Sequence, residues 1–272
     1  MNTVLKYPGS KWSLARWIIS HFPDNYEKMT YLEPYMGSLA VFFNKRRSAV
    51  ETINDLDGNV VNLFRVIRDR PGELGRLVEF TPWSRDEYRL SYEKTGDELE
   101  DARRFLVRMW MAIGAKSSDI TGWRNNIKAN NGNCVQWASK LPANIIIAAK
   151  RLKHGDGCLV QIENQDALTL IQRHRRENVL IYADPPYVTS TRSKRIYACE
   201  TTDADHTKLL NTLDEHPGPV ILSGYACDLY DERLQHWQRG TRQAQAENGK
   251  QRIEVLWINP VAAKQIHRGL FM

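Results

Sequence analysis

The 272-residue sequence predicts an open α/β sheet built from two separated pieces of chain, with a basic helical insertion between them. Three observations predict it. Short apolar runs alternate with helical patterns toward both ends of the chain. Several of those runs are rich in Val, Ile and Leu without polar alternation, as strands buried on both faces are. The stretch from about Arg68 to His154 breaks the alternation and reads as helix and loop with few strand signals.

The expected strands are Thr30–Leu32, Ala49–Ile53, Leu159–Ile162, Val179–Ala183, Val220–Leu222 and Ile253–Ile258. Helical spacing recurs at Val60, Leu63, Phe64 and Ile67, and again at Leu209, Leu210 and Leu213. The sheet domain is therefore expected over 1–67 and 155–272, with 68–154 as the insertion. No repeat or low-complexity tract interrupts this order.

Composition narrows the class. Apolar residues make up 42% and charged residues 26%, the balance of a folded globular protein rather than a disordered one. No purely apolar run exceeds the five residues of Ile145 to Ala149, too short to cross a membrane. Met1 to Lys6 lacks the apolar core of a secretory signal. Cys134, Cys158, Cys199 and Cys227 are scattered without a C-x-x-C pair, against a zinc site or disulfide framework and for a reducing cytosol. The seven histidines show no metal-ligand spacing, so no metal is expected.

The net charge is +6, and a positive field attracts polyanions. Its distribution says more. Between Asp101 and Gly155 ten basic residues face two acidic ones, a local balance of +8 that exceeds that of the whole chain. Trp110, Trp123 and Trp137 are interleaved with these cations, as are Asn125, Asn126, Asn130, Asn131 and Asn133. Lys and Arg suit phosphates and Asn amides can read base edges; a plain solvated basic face is the competing reading.

Ligands of open α/β sheets bind beyond the carboxyl ends of the strands, so the turns there carry the chemistry. The first is Glu33-Pro34-Tyr35-Met36-Gly37-Ser38, where Gly37 allows a tight turn and Ser38 suits an N-cap. Leu39 in place of a second glycine argues against a phosphate cradle and leaves room for a nucleoside. The second is Ile53-Asn54-Asp55. Asp55 stands 18 positions after Gly37, where nucleotide-binding folds grip ribose hydroxyls, and Asp57 is placed to cap the next helix.

The third turn is the most informative. A buried strand, Val179–Ala183, runs into Asp184-Pro185-Pro186-Tyr187. The prolines fix φ and remove two donors, so local carbonyls stand as rigid acceptors. A carboxylate and a carbonyl side by side accept both hydrogens of an exocyclic amine, and Tyr187 offers a face for stacking. The pattern suits a flat heterocycle bearing an NH₂ group.

These residues resemble the Dam-type DNA adenine-N6 methyltransferase family, whose catalytic motif is Asp-Pro-Pro-Tyr. Leu5-Lys6-Tyr7-Pro8-Gly9-Ser10-Lys11 resembles its opening cofactor motif, and Glu33-Pro34-Tyr35-Met36-Gly37 its Glu-Pro-Phe-x-Gly turn. Ile53-Asn54-Asp55-Leu56-Asp57 resembles its ribose-binding acid, and Gln165-Asp166-Ala167 the turn that holds the cofactor adenine. Val220–Tyr225 and Glu254–Asn259 resemble its closing strands. The likeness spans nearly the whole chain with motif order intact. Ser10, Tyr7 and Leu39 depart from the usual Gly, Trp and Gly.

The resemblance implies a Rossmann-like S-adenosylmethionine-dependent methyltransferase fold with a helical DNA-recognition insertion at 68–154. It implies cofactor contacts at Tyr7, Lys11, Glu33, Gly37, Asp55, Asp166 and Asp184, with catalysis by Asp184, Pro185 and Tyr187 on a flipped-out adenine. The expected partner is double-stranded DNA, contacted by Arg124, Asn126, Lys128, Arg192, Lys194 and Arg195. The chain is expected to act as a monomer or weak dimer in the cytoplasm of a bacterial or phage-infected cell, in the manner of restriction-modification enzymes, without membrane or metal. The insertion lacks the Arg-Tyr-Asn…Gly-x-Phe-Asn-x-Pro signature of members that read GATC, so that specificity is not carried over. Cytosine-N4 in DNA, adenine in RNA and an inactive DNA-binding relative stay open as alternatives.

Overall fold

The protein is described by a computed structural model over residues 3–114, 119–125, 132–155, 157–188, 199, 201–245 and 251–266. The strands are β1 (Thr30–Glu33), β2 (Val50–Asn54), β3 (Leu159–Glu163), β4 (Val179–Ala183), β5 (Val220–Tyr225), β6 (Gln238–Gln245) and β7 (Gln251–Ile258). They form one sheet in the order β3-β2-β1-β4-β5-β7-β6. The first five are parallel, and β7 and β6 close the edge antiparallel. Six of the strands stand where the apolar runs place them.

The seventh, β6, was not expected. Its sequence, Gln-Arg-Gly-Thr-Arg-Gln-Ala-Gln, carries neither an apolar run nor an alternation. It is an edge strand that pairs with β7 over the full register from Gln238↔Ile258 to Gln245↔Gln251. Its hydrogen bonds come from the neighbour, and a polar outer edge resists unwanted pairing.

Helices cover both faces: α1 (Ala15–Ile19), α2 (Ala40–Asn44), α3 (Gly58–Asp69), α4 (Pro71–Glu79), α5 (Arg85–Leu90), α6 (Glu98–Met111), α7 (Gly132–Ser139), α8 (Leu141–Leu152), α9 (Ala167–Arg173), α10 (Asp203–Asp214), α11 (Asp228–Arg233) and α12 (Pro260–Gln265). Local chemistry sets several starts. Asp57 caps α3 by accepting from Asn59 N at 2.9 Å, as its position predicts, and Thr202 with Asp205 forms a capping box on α10.

Alternate strand residues face opposite layers. Tyr31, Leu180, Tyr182, Ile221 and Leu256 join one buried cluster, while Leu32, Ile181, Ala183, Leu222 and Trp257 join the other. The first cluster runs on without a break into α3, α4, α6 and α8 through Phe64, Leu74, Trp110 and Ile145. The second lies under α9, α10 and α11 through Leu170, Leu210 and Tyr230.

An ionic cluster ties the helical stretch to the sheet. Glu51 on β2 is fully buried and receives Arg151 of α8 on both oxygens, at 2.6 and 2.8 Å. Lys45 and the Ser48 amide meet the same carboxylate. Burial works to raise the Glu51 pKa, but Arg151 and Lys45 outweigh it and hold the carboxyl below the usual range.

Candidate active site

The chain runs β1 to β3 in one direction from the sheet centre and β4 to β5 in the other. Its switch point lies between β1 and β4, where the carboxyl ends leave a crevice. The cleft there encloses about 810 Å³ of space open to solvent. The turns after β1, β2 and β4 line it, together with residues 7–11 of the N-terminal loop. Chain segments far apart in sequence thus converge on one pocket.

The turn after β1 is tight. Gly37 takes φ +42°, and a Cβ there would lie 3.1 Å from the Tyr7 ring, so both backbone and space call for glycine. Leu39 also adopts a left-handed conformation, φ 55°, without glycine's freedom, at a cost of roughly 1–2 kcal/mol; its complete burial offsets that strain. Ser38 does not cap α2, which begins after Leu39 without a side-chain cap; its hydroxyl instead meets Ser10 Oγ at 2.8 Å.

Asp55 is fastened by backbone donors. The Gly37 amide donates to Oδ2 at 3.0 Å and the Asp57 amide to Oδ1 at 2.9 Å. Burial nevertheless raises its pKa to about 6. Glu33, 2% exposed, accepts from Tyr31 Oη at 2.6 Å, and burial pushes its pKa up to about 8. Among the described residues four acidic side chains, Glu33, Asp55, Asp57 and Asp184, and one cation, Lys11, line the cleft. Asp57 Oδ2 is buried and has no hydrogen-bond partner among the described residues. A pocket with this excess of acceptors fits a ligand that carries positive charge and hydroxyl or amino donors, as S-adenosylmethionine does.

Asp184 sits just past β4, partly exposed. Its Oδ1 receives Ser223 Oγ at 2.8 Å and lies 2.9 Å from Lys11 Nζ. Lys11 is 4% exposed and also reaches Gly9 O at 2.8 Å, Tyr187 Oη, and Glu254 at 3.4 Å. Tyr187 Oη donates to Glu254 Oε1 at 2.6 Å. An ammonium has three donors, and here they are directed at the protein's own groups. Burial raises the Glu254 pKa.

Tyr187, expected to offer a stacking face, is 7% exposed, with its ring 4.3 Å from that of Tyr225. Pro185 is buried and Pro186 lines the cleft. Asp166 is placed at the end of β3, where it caps α9 by accepting from Thr169 N at 2.9 Å; it is not among the cleft-lining residues. Tyr7, Lys11, Glu33, Gly37, Asp55 and Asp184 all line the cleft.

Arg124 lies beside the Ala112–Trp123 bridge, its Nε 3.3 Å from Ala112 O, and its terminal nitrogens have no partner among the described residues. Asn126, Lys128, Arg192, Lys194 and Arg195 fall outside the described residues. Among the described residues no three His, Cys, Asp or Glu side chains group as metal ligands, and no helix is long and apolar enough to cross a membrane.

Sequence reasoning passed over Ser223, Tyr182 and Glu254 as functional groups. Tyr182 and Ser223 are polar side chains in strands otherwise largely apolar and buried, and that mismatch is the signal that marks them; Glu254 follows polar residues in β7 and carries no such signal. Compared with models of known families, residues 7–248 match that of the D12 class N6 adenine-specific DNA methyltransferases. No curated protein sequence matches the chain.

Proposed function

We propose roles for the side chains of this cleft from one premise: the chain belongs to the D12 class of N6 adenine-specific DNA methyltransferases. It is an enzyme that methylates adenine N6 in DNA with S-adenosylmethionine as donor. Membership favours this reading over the cytosine-N4 and RNA alternatives. The observation that carries the site assignment is the convergence of Asp184, Lys11, Glu33 and Asp55 on the crevice at the switch point.

S-adenosylmethionine supplies there an electrophilic methyl group on a sulfonium. Asp55 and Asp57 offer acceptors to hydroxyl and amino donors, and Gly37 with Tyr7 shapes the turn against them. Asp166 has its proposed place beside the cofactor adenine from the resemblance alone. The target adenine must leave the base stack for its amine to reach the site. Asp184 accepts one N6 hydrogen and the Pro185 carbonyl the other. This draws the nitrogen lone pair out of the ring, and the carboxylate stabilises the positive charge that grows on N6 during transfer. Tyr187 borders the adenine. Holding two reactants in line supplies much of the remaining rate.

Protonation links Glu33 to cofactor binding. With a pKa of about 8, its carboxyl is mostly protonated at pH 7. A cation bound in the same pocket favours the carboxylate and lowers that pKa. S-adenosylmethionine binding at pH 7 is expected to release part of a proton, and less at pH 9, where Glu33 is already ionised. Calorimetry in buffers of different ionisation enthalpy measures this. Glu33→Gln should remove most of the release, Asp55 with its pKa of about 6 supplying the small remainder, and equal release by wild type and variant excludes Glu33 as its source.

We assign DNA recognition to 68–154, docked on the sheet through the shared core. Support comes from its +8 balance over 101–155 and from the terminal nitrogens of Arg124, which have no partner among the described residues. Arg124→Ala is expected to weaken DNA binding and lower the slope of log affinity against log salt by about 1, with cofactor affinity unchanged. Fluorescence anisotropy across a salt series tests this. An unaltered slope removes Arg124 from the phosphate contacts.

The direct experiment is incubation with unmethylated DNA and labelled S-adenosylmethionine, followed by mapping of modified bases. N6-methyladenine at a fixed sequence is the expected product, and absence of adenine methylation overturns the reading.

A further inference from the structure

We propose that Ser223 is a positioning residue for methyl transfer: with Lys11 it occupies Oδ1 of Asp184, so that Oδ2 alone is presented to the substrate amine. The inference rests on the reading of Asp184 given above and names a residue to which that reading assigns nothing.

Ser223 lies in β5, beside β4, and is fully buried. Its hydroxyl donates to Asp184 Oδ1 at 2.8 Å and lies 3.1 Å from Tyr182 Oη, which is itself buried. On the other side Lys11 meets the same oxygen at 2.9 Å. Two donors therefore converge on Oδ1, and Oδ2 has no hydrogen-bond partner among the described residues. A carboxylate on a single χ2 bond otherwise swings broadly. Donors on one oxygen stop that rotation and select which lone pairs face the cleft.

Both donors are themselves held. Lys11 is braced by Gly9 O, Tyr187 Oη and Glu254. Ser223 is braced by the strand pairings Leu222↔Trp257 and Gly224↔Val255 on one side and by Tyr182 on the other. Residues of β4, β5, β7 and the N-terminal loop thus combine to orient one carboxylate. A buried serine hydroxyl in an apolar strand needs a partner, and here the partner is the group at the reaction centre.

The test compares Ser223→Ala and Ser223→Thr with wild type in single-turnover and steady-state methylation of a DNA duplex containing the mapped site. Ser223→Ala is expected to lower kcat on the order of tenfold to a hundredfold, the worth of one hydrogen bond to a charged group. KM for DNA and for S-adenosylmethionine should change less than about twofold, with Tm little altered. Ser223→Thr, which keeps the hydroxyl, should recover most of the loss. An unchanged kcat in Ser223→Ala overturns the proposal. So does an equal loss in both variants, or a loss carried by KM or Tm, since each marks a packing role. Asp184→Asn run alongside separates the two readings. If it stays active, the assignment of Asp184 itself fails; if it is inactive while Ser223→Ala is normal, only the role of Ser223 fails.

Discussion

Replacing Asp184 by alanine is expected to lower methyl transfer by about three orders of magnitude, the scale of losing one preorganised electrostatic partner at a reaction centre. The adenine amine is a weak nucleophile because its lone pair is delocalised into the ring, and the carboxylate is the group placed to reverse that. Its contribution grows as N6 becomes positive, so the loss belongs in kcat rather than in binding. DNA affinity should stay near wild type, because the proposed phosphate contacts are made by cationic side chains and not by the Asp184 carboxylate. Rapid-quench methylation with saturating cofactor, paired with anisotropy on the same duplex, separates the two quantities. Near-normal turnover in the variant would remove Asp184 from the chemistry.

Glu51→Ala should produce the largest loss of stability. The carboxylate is fully buried and holds Arg151 on both oxygens, with Lys45 and the Ser48 amide on the same group. Its removal leaves two cations without a counter-charge. Lys45 is the more exposed to this loss: burial has already lowered its pKa to about 8. Breaking a buried pair from one side costs about 3–5 kcal/mol, which for a chain of this size lowers Tm by roughly 10 °C. The same change loosens α8 from β2, so limited proteolysis should cut the helical stretch sooner. Differential scanning calorimetry measures the first effect, and a Tm within about 2 °C of wild type would show that the cluster relaxes at little cost.

Part of the site was legible in the residues because its chemistry is contiguous in sequence. Asp184 to Tyr187 directly follows a buried strand, and Gly37 and Asp55 each follow another, so the rule that ligands bind past strand ends was enough to find them. Asp57 as a helix cap follows from spacing alone. Ser38 as a cap did not hold, because the left-handed Leu39 delays the start of α2 and turns the serine toward Ser10. Ser223 and Glu254 were present as letters in closing strands without roles. Their contacts depend on the parallel pairing Ala183↔Leu222 of β4 with β5, on the antiparallel register Tyr225↔Glu254 and on the arrival of Lys11 from the other end of the chain.

By itself the sequence determined the class of fold, the motif-bearing turns and the concentration of positive charge in one stretch. Apolar periodicity, turn chemistry and charge are local properties, readable wherever they occur. Only the tertiary structure decided that β6 completes the sheet, that the helical stretch shares the core of the sheet, and that Lys11 is engaged by Asp184, Tyr187 and Glu254. A polar edge strand takes its hydrogen bonds from a neighbour, and a buried charge takes its partners from distant segments. Such contacts are set by which surfaces meet when the chain closes, and no stretch of residues carries them alone.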